Sequence, residues 1–113
     1  LFHHLFEREK NISTEAYLAH IFSHFKKNQD HVTSLLFSKN DYFLRQLQKE
    51  LEHHVYPMVA EDLKVSYPKI PASYLKHFVV SNFIETLTWW LKKGKSYKED
   101  QVVRFYLDVM GMK

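Results

Sequence analysis

One period runs through this chain. Apolar residues recur at spacings of three and four, and no stretch alternates strictly between apolar and polar. That spacing stacks side chains on one face of an α-helix, whereas a half-buried strand needs a repeat of two. The pattern predicts helices throughout and no sheet. Punctuation is sparse: two Gly and three Pro in 113 residues are too few for a linker or a turn-dense sandwich. The chain has no Cys, which removes disulfide scaffolds, cysteine-based zinc sites and thiol catalysis, and makes a cytoplasmic origin the default. Eighteen aromatic residues supply enough apolar surface to build a core without such staples.

The helices can be bounded from their caps. Leu1 to about Lys10 reads as a short apolar opening helix, and Asn11–Ser13 as a turn that caps the next one. From Thr14 to Lys27, the residues Tyr17, Leu18, Ile21, Phe22 and Phe25 form one stripe, which Asn28–Asp30 breaks. A short helix is expected over His31–Phe37. The cluster Ser38-Lys39-Asn40-Asp41 then starts an amphipathic helix whose apolar arc holds Phe43, Leu44, Leu47, Leu51, Val55 and Met58. Pro57 lacks an N–H and predicts a kink or break inside that arc. Val65–Ala72, with Pro68 and Pro71, reads as a loop.

The most apolar helix is expected over Ser73–Lys93, closed by Gly94 in a left-handed cap. Ser96 and Glu99 have the spacing of a capping box for a last helix that runs to about Met110 and ends at Gly111. The sum is an all-α, antiparallel bundle of about six helices, read as a single domain over residues 1–113. Leu1 in place of Met, with an apolar pattern already under way, points to a piece of a longer protein. The apolar stretch Phe78–Leu91 is interrupted by Ser81, Asn82, Glu85, Thr86 and Thr88 and falls short of the ~20 residues of a membrane span. A soluble chain with no membrane partner is expected.

The last two helices carry too much apolar surface. Stepping 100° per residue from Leu75, Phe78, Val79, Val80, Phe83, Ile84, Leu87, Trp89, Trp90 and Leu91 cover roughly 240°. The final helix covers roughly 200° with Val102, Val103, Phe105, Tyr106, Leu107, Val109 and Met110. One core needs a stripe of only about 100° or somewhat more. Either both helices are central to the bundle, or the pair packs on a symmetry mate.

Three stretches carry a family resemblance. They are Phe37-Ser38-Lys39-Asn40-Asp41-Tyr42-Phe43-Leu44-Arg45-Gln46-Leu47, then Phe78–Gly94 with its Trp89-Trp90-Leu91, and the apolar helix from Ser96 to Met110. Together they resemble the C-terminal regulatory domain of TetR-family transcriptional regulators, and Leu1–Glu7 looks like the start of the helix that follows that family's DNA-binding unit. The resemblance implies a homodimer whose helix-turn-helix heads, absent from this chain, read operator half-sites about 34 Å apart. It implies a bundle that dimerises and senses a small effector, and it implies no enzyme and no cofactor. The last two helices would form the four-helix interface, with Phe83, Leu87, Trp90, Val102, Phe105, Tyr106 and Val109 as its expected residues.

A small apolar or aromatic effector would need a mostly apolar pocket with a few polar groups. Asn82, at about 340° inside the apolar arc, and His54, at the edge of the Leu47–Met58 stripe, are the polar candidates. Tyr17, Phe22 and Phe25 would be aromatic wall, and Met58 an adaptable one. His20 and His24 stand at the i, i+4 spacing of a metal pair, but eight His would give about half such a pair by chance, and no His-Glu-x-x-His pattern is present. No metal is expected. The two Gly both follow helices, which leaves no phosphate-cradling loop, and no nucleophile elbow exists. A net charge of +3 is too mild to announce nucleic-acid binding by this chain, and Lys92, Lys93, Lys95 and Lys98 read as a solvated helix end. Operator DNA is therefore expected only through the missing heads. The competing reading is a stand-alone helical interaction module, and less so a His-dependent metal scaffold.

Overall fold

The computed structural model describes Phe6, residues 12–38 and residues 40–112. The expected opening helix and the segment resembling the family's connecting helix lie outside the described residues, Phe6 excepted. Six helices follow in order: α1 (Thr14–Lys27), α2 (Gln29–Phe37), α3 (Asp41–His54), α4 (Tyr56–Ser66), α5 (Ala72–Lys92) and α6 (Glu99–Val109). Among the described residues there is no strand. Nor, among those residues, is any helix long and apolar enough to cross a membrane.

Local chemistry sets the boundaries. Ser13 caps α1 by accepting from the Ala16 N–H at 3.1 Å, and Asn40 caps α3 by accepting from the Phe43 N–H at 2.9 Å. Each satisfies one of the orphan donors of a first turn. The break before α2 is narrower than the sequence suggests: Asn28 alone ends α1, its N–H bonded back to Phe25, while its carbonyl accepts from Val32 in α2. Pro57 does not kink a long helix. The chain breaks at Val55, and Pro57 sits in the first turn of α4, where its missing N–H costs nothing. The stretch expected as a loop is trimmed at both ends, since α4 continues to Ser66 and α5 starts at Ala72, leaving residues 67–71 with Pro68 and Pro71 as the loop.

The last connection departs most from its expectation. The Ser96–Glu99 capping box does not form; α6 starts two residues later, where the Gln101 side chain accepts from the Lys98 N–H at 2.9 Å. The cause is tertiary. The Trp90 indole N–H donates to the Tyr97 carbonyl at 3.0 Å, and the Tyr97 N–H to the Gly94 carbonyl at 3.0 Å. These bonds hold residues 94–97 as a turn. Gly94 is not the left-handed cap; among the described residues Gly111, with φ of 80°, is the glycine that needs positive φ.

The core gathers the stripe of each helix. Helix α5 packs against α2, α3, α4 and α6, while α1 lies along α6. Among the described residues no charged side chain is buried. The three largest buried rings each spend their polar tip on a backbone carbonyl: Tyr17 on Phe6 at 2.9 Å, Trp90 on Tyr97, and Tyr106 on Val79 at 2.6 Å. Fully burying one large apolar side chain contributes about 1.5–3 kcal/mol, provided that its polar atoms find such partners.

Candidate functional site

The expected pocket residues divide between a cavity, the core and an outer groove. Tyr17, His54 and Met58 line one cavity of about 340 Å³, together with Thr14, His53 and Pro57. Three elements meet there because α3 stops at His54 and Pro57 turns the chain into α4, against the first turns of α1. Its polar groups are held in place. The His54 Nε2 lies 3.2 Å from a Glu50 carboxylate oxygen one turn back, and its ring stacks on Phe6 at 5.1 Å, the planes 9° apart. His53 meets His54 edge-on at 4.7 Å. Tyr17 donates to the Phe6 carbonyl, so two of the cavity's walls grip the same residue. The volume lies at the low end of the roughly 300–1,000 Å³ of small-molecule sites.

Phe22 and Phe25 are not pocket walls. Both are buried, and the Phe22 ring stacks on Phe83 at 4.8 Å and meets Trp90 edge-on at 5.6 Å. A helical wheel gives a side chain's direction but not its depth, and these two rings fill the centre. Asn82 lies elsewhere again, in a groove of about 380 Å³ between α5 and α6, with Glu85, Thr86, Trp89, Phe105, Tyr106 and Val109. A wider groove between α3 and α5 is rimmed by Glu52, Lys76, His77 and Glu85, charges of both signs with no shared focus.

The expected interface set needs a correction. Phe83, Leu87, Trp90, Val102 and Tyr106 are buried inside the single chain and have no surface to offer a partner. Phe105 and Val109 do, at 39% and 68% exposed, beside Trp89 at 41%. Trp89, Tyr97 and Phe105 form an open triangle of rings, with centroids 5.1–6.5 Å apart. Trp89 and Tyr97 were missed on this face, as were Thr14, His53 and Pro57 at the cavity. The signal for Trp89 lay in the wheel, at about 320° beside Asn82. Gly94 packs against the same ring: an added Cβ would stand 2.7 Å from it, so the ring would have to shift to admit one.

The remaining candidates stay apart from both places. His20 and His24 meet edge-on at 5.2 Å, and among the described residues no three His, Asp or Glu side chains converge as a metal site would require. Lys92 of the helix-end cluster rests over the Phe37 ring at 5.3 Å.

Comparison with known proteins agrees with this architecture. Residues 13–110 match a TetR family model described as the transcriptional regulator C-terminal region. Among solved structures, the crystal structure of a TetR transcriptional regulator from Streptococcus agalactiae 2603V is similar, with 41% sequence identity and a TM-score of 0.79. The match covers 96% of this chain and 61% of that one. No curated protein matched.

Proposed function

This chain belongs to the C-terminal regions of TetR-family transcriptional regulators, and from that premise we propose that it is the dimerising and effector-sensing part of such a regulator. It acts in the cytoplasm, and operator DNA is contacted by heads outside this chain. Regulators of this family are not generally enzymes, and the chain is assigned no catalytic role.

The observation that carries the sensing role is the cavity of Tyr17, His54 and Met58. Two of its walls hold Phe6, one by a hydrogen bond and one by stacking. A ligand that displaces either wall changes the grip on Phe6. Only a ligand that favours one of two such arrangements shifts the balance between them. The dimer role rests on the outward surface of α5 and α6, where Trp89, Phe105 and Val109 stand exposed together.

The sensing role is tested by a thermal-shift screen of small apolar and aromatic compounds. A binder should raise the melting temperature with concentration as mass action requires, and His54→Ala together with Met58→Ala should abolish that rise. A flat screen, or a rise untouched by both changes, overturns it.

A further inference from the structure

The walls of the Tyr17–His54–Met58 cavity have already spent their protons. The Tyr17 hydroxyl donates to the Phe6 carbonyl. His54 Nε2 lies 3.2 Å from a Glu50 carboxylate oxygen, which has only lone pairs to offer, so the uncharged ring keeps its proton on that nitrogen. The other nitrogen, Nδ1, is then a lone pair with no hydrogen-bond partner among the described residues. Met58 adds a thioether, itself a weak acceptor. Helix starts usually favour an anion, because first-turn N–H groups point out of them. Two starts border this cavity, and several of their donors are missing or taken. Pro57 of α4 has no N–H, and the Met58 N–H donates to the Val55 carbonyl at 3.0 Å. In α1, the Ala16 N–H goes to the Ser13 hydroxyl and the Tyr17 N–H to the Ser13 carbonyl.

We propose that this cavity takes a small aromatic molecule that brings its own proton, a phenol, and that His54 Nδ1 is the acceptor that selects it. This inference deepens the sensing reading above and rests on it. An anionic ligand would set lone pairs against lone pairs. A cationic one would find no carboxylate among the described lining residues. Thr14 and His53 do not discriminate, since an uncommitted hydroxyl or imidazole can donate or accept. A site that offers an acceptor to a hydroxyl rejects the analogue without one, because the acceptor then loses water and gains no partner.

The test sets phenol against three probes with the same ring: anisole, whose hydroxyl is methylated, benzoate and benzylammonium. Dissociation constants are read from NMR titrations of the chain at pH 8. Phenol should bind about five- to tenfold more tightly than anisole, with both charged probes weaker than phenol. His54→Phe keeps a ring to stack on Phe6 and removes the nitrogen. H54F should therefore bring phenol to the level of anisole and leave anisole where it was, whereas loss of a merely structural residue would weaken both alike. Circular dichroism confirms that the variant keeps its helices. A probe that equals phenol, an advantage of phenol that survives H54F, or equal weakening of phenol and anisole overturns this inference and leaves the sensing reading standing. So does a failure of all four where the wider screen yields binders; a flat screen overturns both.

Discussion

Trp89 and Trp90 are neighbours in sequence and opposites in structure. Trp90 is buried, its indole N–H tied to Tyr97 and its ring edge-on to Phe22. Trp89 stands in the open with Tyr97 and Phe105. The same contrast runs along both final helices. Val79, Phe83, Leu87, Val102 and Tyr106 close the core, while Phe105 and Val109 remain uncovered on the other side. The excess width of the apolar arcs is thus two surfaces side by side, one used within the chain and one left exposed. Width alone signals that a second surface exists; only packing shows where the first ends.

Truncating the two tryptophans should separate the surfaces most sharply. Trp90→Ala opens a cavity in the centre and removes the bond that holds the 94–97 turn, at an expected cost of about 3–5 kcal/mol in denaturant unfolding. Trp89→Ala should cost under about 1 kcal/mol in a monomeric background and act on association instead. Equal losses would abolish the distinction between the faces. Val109→Glu attacks the outer surface alone. A carboxylate at an apolar contact loses its hydration without gaining a partner, so the dimer dissociation constant should rise about 100-fold or more. The stability of the single chain should change by no more than about 0.5 kcal/mol, as at other surface positions. An intact V109E dimer would move the interface off this face.

How far the sequence reveals this follows from which forces are local. The caps at Ser13 and Asn40, the bounds of α1 and the stop at Gly111 are legible because each is decided by a few adjacent residues. The Ser96–Glu99 box satisfied the same local rule and still lost, since the Trp90–Tyr97 bond joins residues on different elements. The last two residues of α4, Val65 and Ser66, were hidden because Pro68 and Pro71 colour the stretch around them, although both lie beyond the helix end. The site divides in the same way. Tyr17, His54 and Met58 reach one cavity from three elements; the periodicity marks Tyr17 and Met58 as facing inward and His54 as the edge of the stripe. Phe22 and Phe25 carry the same mark and sit deeper. For Phe83, Leu87, Trp90, Val102 and Tyr106 the wheel gave an apolar arc, but not which part of it the rest of the chain would cover.

A smaller effect sharpens the inner face. Burial pushes the Tyr106 phenol far above its ordinary range, because an ionised ring oxygen would lose water and gain no cation. A raised value in the folded chain means that the stability held by this proton is intact below the ordinary phenol value of about 10. Above it the unfolded chain ionises while the folded one does not, and stability falls as pH rises. Tyr106→Phe should remove that contribution to the alkaline decline. It should also cost about 0.5–1.5 kcal/mol at neutral pH through the lost bond to Val79. Urea midpoints measured from neutral to alkaline pH check both, and a decline of undiminished slope in the variant would place its origin in another group.

The smallest change on the fold is aimed at the outer face. In Gly94→Ala the new Cβ would stand 2.7 Å from the edge of the Trp89 indole, too close for either to stay. The backbone at Gly94 lacks the positive φ that would strain an alanine, so the conflict falls on the ring alone. Trp89 is half-exposed and can swing, which makes the adjustment cheap for the single chain, within about 0.5 kcal/mol in urea. The displaced ring leaves Tyr97 and Phe105, and tryptophan fluorescence should register its move while Trp90 keeps its place. If the triangle is a contact surface, the dimer dissociation constant should rise a few-fold with stability nearly unchanged. A G94A chain that loses stability but dimerises normally would show that Trp89 belongs to the inner structure after all, and the line between the two faces would have to be drawn on its other side.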